Sequence, residues 1–520
     1  MGTAVALALA GPLVTALPAE AEERGKAAPK AETGRAAEET TALAEAADSG
    51  HPVEVLSQRT EVSQTFADPD GQFTENTYAM PQWVRQDNKL VEIDTALVKN
   101  EDGTLSPGAT EVGIRFSGGG DGPLAMVVRD GRSMSIGWPR PLPRPVVEAD
   151  TATYPGVLDG VDLKLKAHNG GYNQVLVVKN AEAARNPELT ELDFGLETKG
   201  LKVEADEHGN VRAVDPAGQE VFTAPTPRMW DSGDAPVQAS AARTSGRASA
   251  PPSPPATDAF EPGFGARDAA MEVKVADDSL TILPDTDLLS GENTRYPVYI
   301  DPAVQGSRHS WGIMYKKHPN SSFFNGAGFN GGTTTARAGY ENVTNGLARS
   351  YFRMNTKNLQ DKNRVISSSR FQIRNTWSWS CENRGIQLWH TQYLQSSHTW
   401  NKQPGKLYTL DTVNDSKGFS SSSCPAGNLA FDTTRAAKDS QARHLEHPDA
   451  RAGGLERDGC VRLEEVRRQD CSHVDHLQHP PRRALGAGHH SQHQEQQGLR
   501  QRGALRPHRE HGHLPHRQGQ

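Results

Sequence analysis

The chain has 520 residues, of which 23 % are charged and 35 % hydrophobic, with a net charge of −8. That length holds two or three domains. The mild acidity and the absence of a basic stripe before the last eighty or so residues argue against a nucleic-acid partner.

Ala4 to Leu17 form an apolar run too short for a comfortable bilayer span, ending in the small-x-small pattern Ala19-Glu20-Ala21. Residues 1–21 therefore read as a signal peptide, although no Lys or Arg precedes the run, and the product is expected to be secreted or held at the cell surface with no membrane span after cleavage. Residues 22–52 are Ala/Glu-rich, lack aromatics and carry no apolar stripe, which predicts a disordered, solvated spacer.

From Val53 the pattern becomes short strands with turn punctuation, and a β-rich N-terminal domain is expected over 53–305. Trp83-Val84-Arg85-Gln86 and Leu90 to Asp94 flank Asp87-Asn88-Lys89, a hairpin signature. Val161 to Lys166 alternate strictly, so one face is buried and the other wet; Asn169-Gly170-Gly171 then turns the chain into Val175-Leu176-Val177-Val178. Asp206 to Asn210 mark a further hairpin. Residues 232–265, rich in Pro, Ser and Ala, read as a linker or an insertion within this domain, and Tyr296 to Pro302 as its closing strand.

A second unit, 306–442, holds most of the rings, among them Trp311, Tyr315, Tyr340, Tyr351, Phe352, Trp377, Trp379, Trp389, Tyr393 and Trp400. Rings on strands are first of all core, with two or three expected at an exposed face or loop rim. Cys381 and Cys424 are the two cysteines ahead of the C-terminal tail, and in an exported protein they are expected to pair; their spacing does not suit zinc. After Lys438 there is no Lys, Asn, Thr, Ile, Met, Phe, Tyr or Trp, while Arg, His and Gln abound. A reading-frame slip near Ala442 accounts for this more simply than a His-rich metal-binding tail, and residues 443–520 are expected to be disordered.

Motifs with chemical meaning are scarce. Ser117 to Gly122 lacks the Lys-Ser/Thr pair and following helix of a phosphate loop and reads as a hairpin loop. Asp68-Pro69-Asp70-Gly71 lacks the later ligands of a calcium loop and reads as a turn. Asp159 and Asp162 beside Gly160 fit turn capping better than acid/base catalysis. Neither Gly-x-Ser-x-Gly nor His-Glu-x-x-His occurs, and no cofactor is implied.

Several motifs taken in order carry a resemblance: Ala336 to Tyr340, Arg349 to Thr356, Trp377 to Cys381, Leu388-Trp389-His390-Thr391, Thr399 to Pro404, Cys424-Pro425 and Phe431-Asp432-Thr433. Over roughly 130 residues they resemble the DNRLRE-type jelly-roll module of exported multidomain proteins. The first unit resembles the β-rich region that precedes such modules, through Phe116 to Leu124, Tyr154 to Leu163, Gln174 to Lys179 and Pro225 to Trp230. LamG-like lectin domains or RHS-type repeats commonly follow, and the resemblance stops near Ala442. It supplies no catalytic residues.

The sequence thus predicts an all-β, non-enzymatic protein: a β-rich domain, then an incomplete jelly-roll β-sandwich. The expected role is adhesion or carbohydrate binding on cell-wall or extracellular polysaccharide, with Trp377, Trp389 and Trp400 as the expected ligand-binding rings. An accessory region of a polysaccharide-degrading enzyme or RHS-type toxin is the first alternative, and a structural stalk the second.

Overall fold

In the computed structural model the described residues are 30–233, 259–260, 262–263, 265–302, 304–306, 311–329, 333, 335–341, 346–360, 364–378, 380–419, 422–446, 459–465, 473–478 and 485–487. The expected signal peptide, most of the 232–265 linker, Trp379 and most of 443–520 lie outside them.

The protein is all-β, built from antiparallel sheets with three α-helices among the described elements. In the first sandwich an eight-stranded sheet runs in the order Glu272–Val275, Ser279–Leu283, Leu192–Lys199, Arg132–Gly137, Pro123–Arg129, Gly113–Phe116, Leu105–Ala109 and Asp94–Lys99. The facing sheet is centred on Thr151–Leu158, Val161–His168 and Gly171–Val178 and continues through Val304–Gln305 to Glu220–Ala224, Val211–Val214 and Lys202–Ala205. Alternation dictates which side chains meet: along Val161–His168 every second residue, from Val161 to Ala167, is buried. Phe116, Leu124, Ile136 and Phe194 of one sheet pack on Tyr154, Leu163, Tyr172 and Leu176 of the other, with Phe116 edge-on to Tyr172 at 5.6 Å.

The turns follow the local chemistry. Trp83–Gln86 and Lys89–Glu92 pair through a two-residue turn in which Asp87 and Asn88 both have positive φ (47° and 62°), the mirror-image turn that matches strand twist. Ser117 to Gly122 is the loop between paired strands Gly113–Phe116 and Pro123–Arg129. A Cβ on Gly118 would lie 2.1 Å from the Gly103 carbonyl oxygen, so the glycine is there for close backbone approach. Asp68 to Gly71 is likewise a hairpin turn, and the Asp162 carboxylate accepts from the Gly156 amide (2.8 Å) and pairs with Lys179 (2.7 Å). The chain leaves and re-enters the first sandwich at neighbouring strands across the 232–265 segment, since Trp230 pairs with Asp268 and also with Tyr299.

The region expected to be a disordered spacer contains an α-helix instead, Lys30–Ser49. Alanine and glutamate are strong helix formers, and Arg35 and Glu39 pair across one turn (3.4 Å). Ala42 and Ala46 form a buried cluster with Val55 and Ala67, an apolar contact too small to read as a stripe. Glu39 also meets Arg364 of the second unit at 2.9 Å. The hairpin Ser63–Ala67 with Phe73–Thr77 and the following Ala79 belong with the second unit, because Ala79 packs in its core beside Trp311, Phe352 and Phe371. The first sandwich proper begins at Asp94.

In the second unit, Trp311–Tyr315 and Thr335–Glu341 flank Gly346–Met354, Arg370–Trp377 pairs with Gly427–Asp432, and Arg384–Thr391 pairs with Lys406–Asp415. One core of Ile313, Phe323, Phe352, Ile373, Leu388 and Phe431 runs through all of them. Three backbone segments from beyond residue 443 run as strands here: Gly459–Glu465 between Gly346–Met354 and Arg384–Thr391, His473–Gln478 between Thr335–Glu341 and Arg370–Trp377, and Leu485–Ala487 beside Phe73–Thr77. A ladder is made of main-chain groups, so it forms even on a sequence poor in strand-forming side chains.

Candidate functional site

The second unit has two kinds of aromatic surface. Along Gly346–Met354 the even-numbered Phe352 and Met354 face the core, while Arg349, Tyr351 and Arg353 face outward. The loop after Thr391 folds back over that outer face. Its Trp400 ring receives the Arg349 guanidinium at 4.5 Å, and its Tyr393 ring receives Arg353 at 4.1 Å. Gln403 ties the arrangement together: its Oε1 accepts from Arg349 (3.0 Å) and from the Tyr351 hydroxyl (2.9 Å), and its Nε2 donates to the Trp400 carbonyl (2.8 Å). Met314, Leu394 and Phe324 fill in beneath. Cation-over-ring pairs of this kind contribute about 0.5–1 kcal/mol when exposed and more when desolvated.

A second group lies on the hairpin Arg384–Thr391 and Lys406–Asp415. Trp389 is half-buried with Lys406 over its ring at 4.0 Å. The next residue, His390, points the other way, is 3 % exposed and sits edge-on to Tyr408 at 5.0 Å. Burial lowers its pKa to about 4, so it is neutral at physiological pH. Its Nδ1 is buried without a hydrogen-bond partner among the described residues. The Tyr408 hydroxyl donates to Asp439 of the helix Thr434–Glu446 (2.5 Å), and Arg435 stacks on the Tyr408 ring at 3.8 Å.

Trp377 is separate from both groups. It ends the strand Arg370–Trp377 next to the loop closed by the Cys381–Cys424 disulfide, whose Cα atoms are 5.9 Å apart. Gly418 packs directly on the Trp377 backbone, and the Gly418 amide donates to the carbonyl of Cys424 (3.0 Å). Of the three rings singled out in the sequence, then, Trp389 and Trp400 each carry a cation on one ring face and all three are half-buried. Arg349, Tyr351 and Gln403 around Trp400, and Arg353 on Tyr393, were not named from the sequence as ligand-binding residues; their signal was the Arg-x-Tyr-x-Arg alternation, which places the three strand residues on one face.

Two further polar clusters are buried in the first unit. Asp268 is held by Arg228, by Lys317 and by His318 Nε2 at 2.9 Å, and these contacts bridge the first sandwich to the second unit. Burial pushes the Asp268 carboxyl up, but the His318 hydrogen bond and the Arg228 and Lys317 charges outweigh it and keep the group ionised. His318 is lowered, first by its own burial. Asp301, the cross-strand neighbour of Arg228, is 1 % exposed, and burial raises its pKa to about 8 against the weaker pull of Arg228. Among the described residues no group of three or more His, Cys, Asp or Glu is placed to hold a metal ion.

No family model matches the chain, and no curated relative matches it. Among solved structures it is similar to the crystal structure of the N-terminal domain of the Streptococcus gordonii adhesin Sgo0707, at 8 % identity and a TM-score of 0.14, covering 75 % of this chain and 90 % of that one. A likeness of that size carries no argument about fold or activity.

Proposed function

We propose that this is an exported, non-enzymatic adhesion protein whose second unit binds polysaccharide through the ring-and-cation surface built on Trp389, Trp400, Tyr393, Arg349 and Arg353. The observation that carries the reading is the frame around Trp400. The half-buried indole carries the Arg349 guanidinium, and Gln403 holds both that guanidinium and the Trp400 main-chain carbonyl, so the ring is pre-set rather than left to rotate, which lowers the entropy lost when a ligand is gripped. Sugars present apolar C–H faces to rings and hydroxyls to guanidinium groups, so alternating rings and cations suit them. The Cys381–Cys424 disulfide supports export, because such bonds persist in oxidising compartments. Trp377 lies beside the disulfide loop, and its part in binding is a separate test. The experiment is an array of bacterial and plant cell-wall polysaccharides probed with the full-length protein, alongside a reducing-end assay for hydrolysis. Saturable binding without new reducing ends supports the proposal. Hydrolysis sinks it in favour of an enzyme, and the absence of any binding favours a stalk.

A further inference from the structure

The first sandwich contains a cavity of about 40 Å³ between its two sheets, lined in part by the edge strand Lys202–Ala205, its neighbour Val211–Val214 and the more central Gly171–Val178. Its wall is almost wholly apolar, with Met134, Ile136, Phe194 and Leu196 from one sheet and Ala213 and Phe222 from the other. Half-buried Val203, Val211 and Val273 rim it, so it reaches the surface at that edge. Into this wall the alternation of Gly171–Val178 places Gln174, between the core residues Tyr172 and Leu176. Gln174 is 2 % exposed, and its Nε2 is buried without a hydrogen-bond partner among the described residues. A primary amide with two unused donors in an apolar hole is costly to keep, and a core selected for stability alone would favour an apolar side chain there.

We propose that this cavity is a binding site for a small neutral carbonyl compound with an alkyl body, its oxygen accepting from Gln174 Nε2 and its carbon chain lying against Phe194, Leu196 and Phe222. The volume accommodates roughly three water-sized bodies. A guest of about that size fits inside, and a longer alkyl end leaves through the rim at Val203 and Val273. A charged guest is excluded, because no charged side chain lines the wall. Tyr172 and Thr223 are the other polar residues along it, and no cation competes with the Gln174 amide for a carbonyl oxygen. The site is remote in sequence from the ring surface of the second unit and stands independently of the polysaccharide reading.

The test titrates 2-pentanone and n-pentane into the full-length protein, with ligand-observed saturation-transfer NMR as the readout. The expected result is saturable binding of the ketone, several-fold tighter than the alkane. Gln174→Met, a near-isosteric neutral change, should reduce that preference about five- to tenfold, the worth of one hydrogen bond, and raise the melting temperature. Ala213→Leu should fill the cavity and abolish binding of both probes. No saturable binding to the unmodified protein overturns the proposal, as does a ketone preference that survives Gln174→Met. A slowly exchanging buried water that neither probe displaces overturns it too, and shows the amide to be satisfied by solvent.

Discussion

Removing the disulfide by Cys381→Ala with Cys424→Ala isolates what the cross-link does for the second unit. The two positions are 43 residues apart, and the enclosed chain carries both strands of the Arg384–Thr391 and Lys406–Asp415 hairpin. In the loop-entropy model a closed loop of that length restricts the unfolded chain by about 4 kcal/mol. For a unit of this size that corresponds to a fall in melting temperature of roughly 8–16 °C. The cross-link also fixes a local contact, since Ser416 Oγ donates to the Cys381 carbonyl (2.9 Å) and Gly418 to that of Cys424 (3.0 Å). Calorimetry separates the transition of the second unit, which holds the disulfide, from that of the first sandwich, which has no cysteine. The double variant should lower the second-unit transition by that amount and leave the first unchanged. A shift under about 2 °C, or a matching shift in the first sandwich, would refute the argument that the loop constraint acts on this unit alone.

Asp301 should give the first sandwich a pH-dependent stability: its pKa is raised from 3.8 to about 8, so the folded state holds a proton that the unfolded chain releases. The contribution is complete below about pH 4 and is lost as pH rises to about 8, on the order of 5 kcal/mol across that window; Asp301→Asn should flatten this slope, and an unchanged profile in urea melts from pH 4 to 9 would contradict it. Gly118→Ala should cost on the order of 2–3 kcal/mol, because its Cβ meets the Gly103 carbonyl, whereas Gly120→Ala, with open space but φ of +83°, should cost about 1 kcal/mol, read by the same melts. Ala46→Leu should overpack the contact of the Lys30–Ser49 helix on Val55 and Ala67 by about 1–3 kcal/mol, exposing that helix to limited proteolysis; an unchanged digest would show the helix to be undocked.

The sequence made the fold class legible where chemistry is local. Asp87-Asn88 set a turn that only small polar residues or glycine adopt readily, and the strict alternation from Val161 set a half-buried strand. The Lys30–Ser49 helix was illegible because its buried face is Ala42 and Ala46, which composition counts as spacer. Gln174 was illegible for the opposite reason: beside Val175-Leu176-Val177-Val178 it looks like the polar start of an apolar strand, and only the facing sheet reveals the hole it enters. The placement of Ser63–Thr77 with the second unit and the Arg228–Asp268–His318 bridge depend on contacts between distant segments, which no window of sequence contains. The site is half legible. Rings mark the surface, but the cations over them come from other strands: Arg349 reaches Trp400 from across the sheet face.

The most direct test of the polysaccharide reading is binding of the full-length protein and its Trp389→Ala and Trp400→Ala variants to whichever glycan the array selects, with the melting temperature of each measured in parallel. Trp389 is half-buried on its strand with Lys406 over its ring, so its removal should weaken binding at least about tenfold while melting moves by no more than a few degrees. Trp400, seated on Met314, Tyr351 and Leu394, should lose both binding and stability. If both variants bind the glycan as the unmodified protein does, the ring-and-cation surface is framework and the proposed site is contradicted.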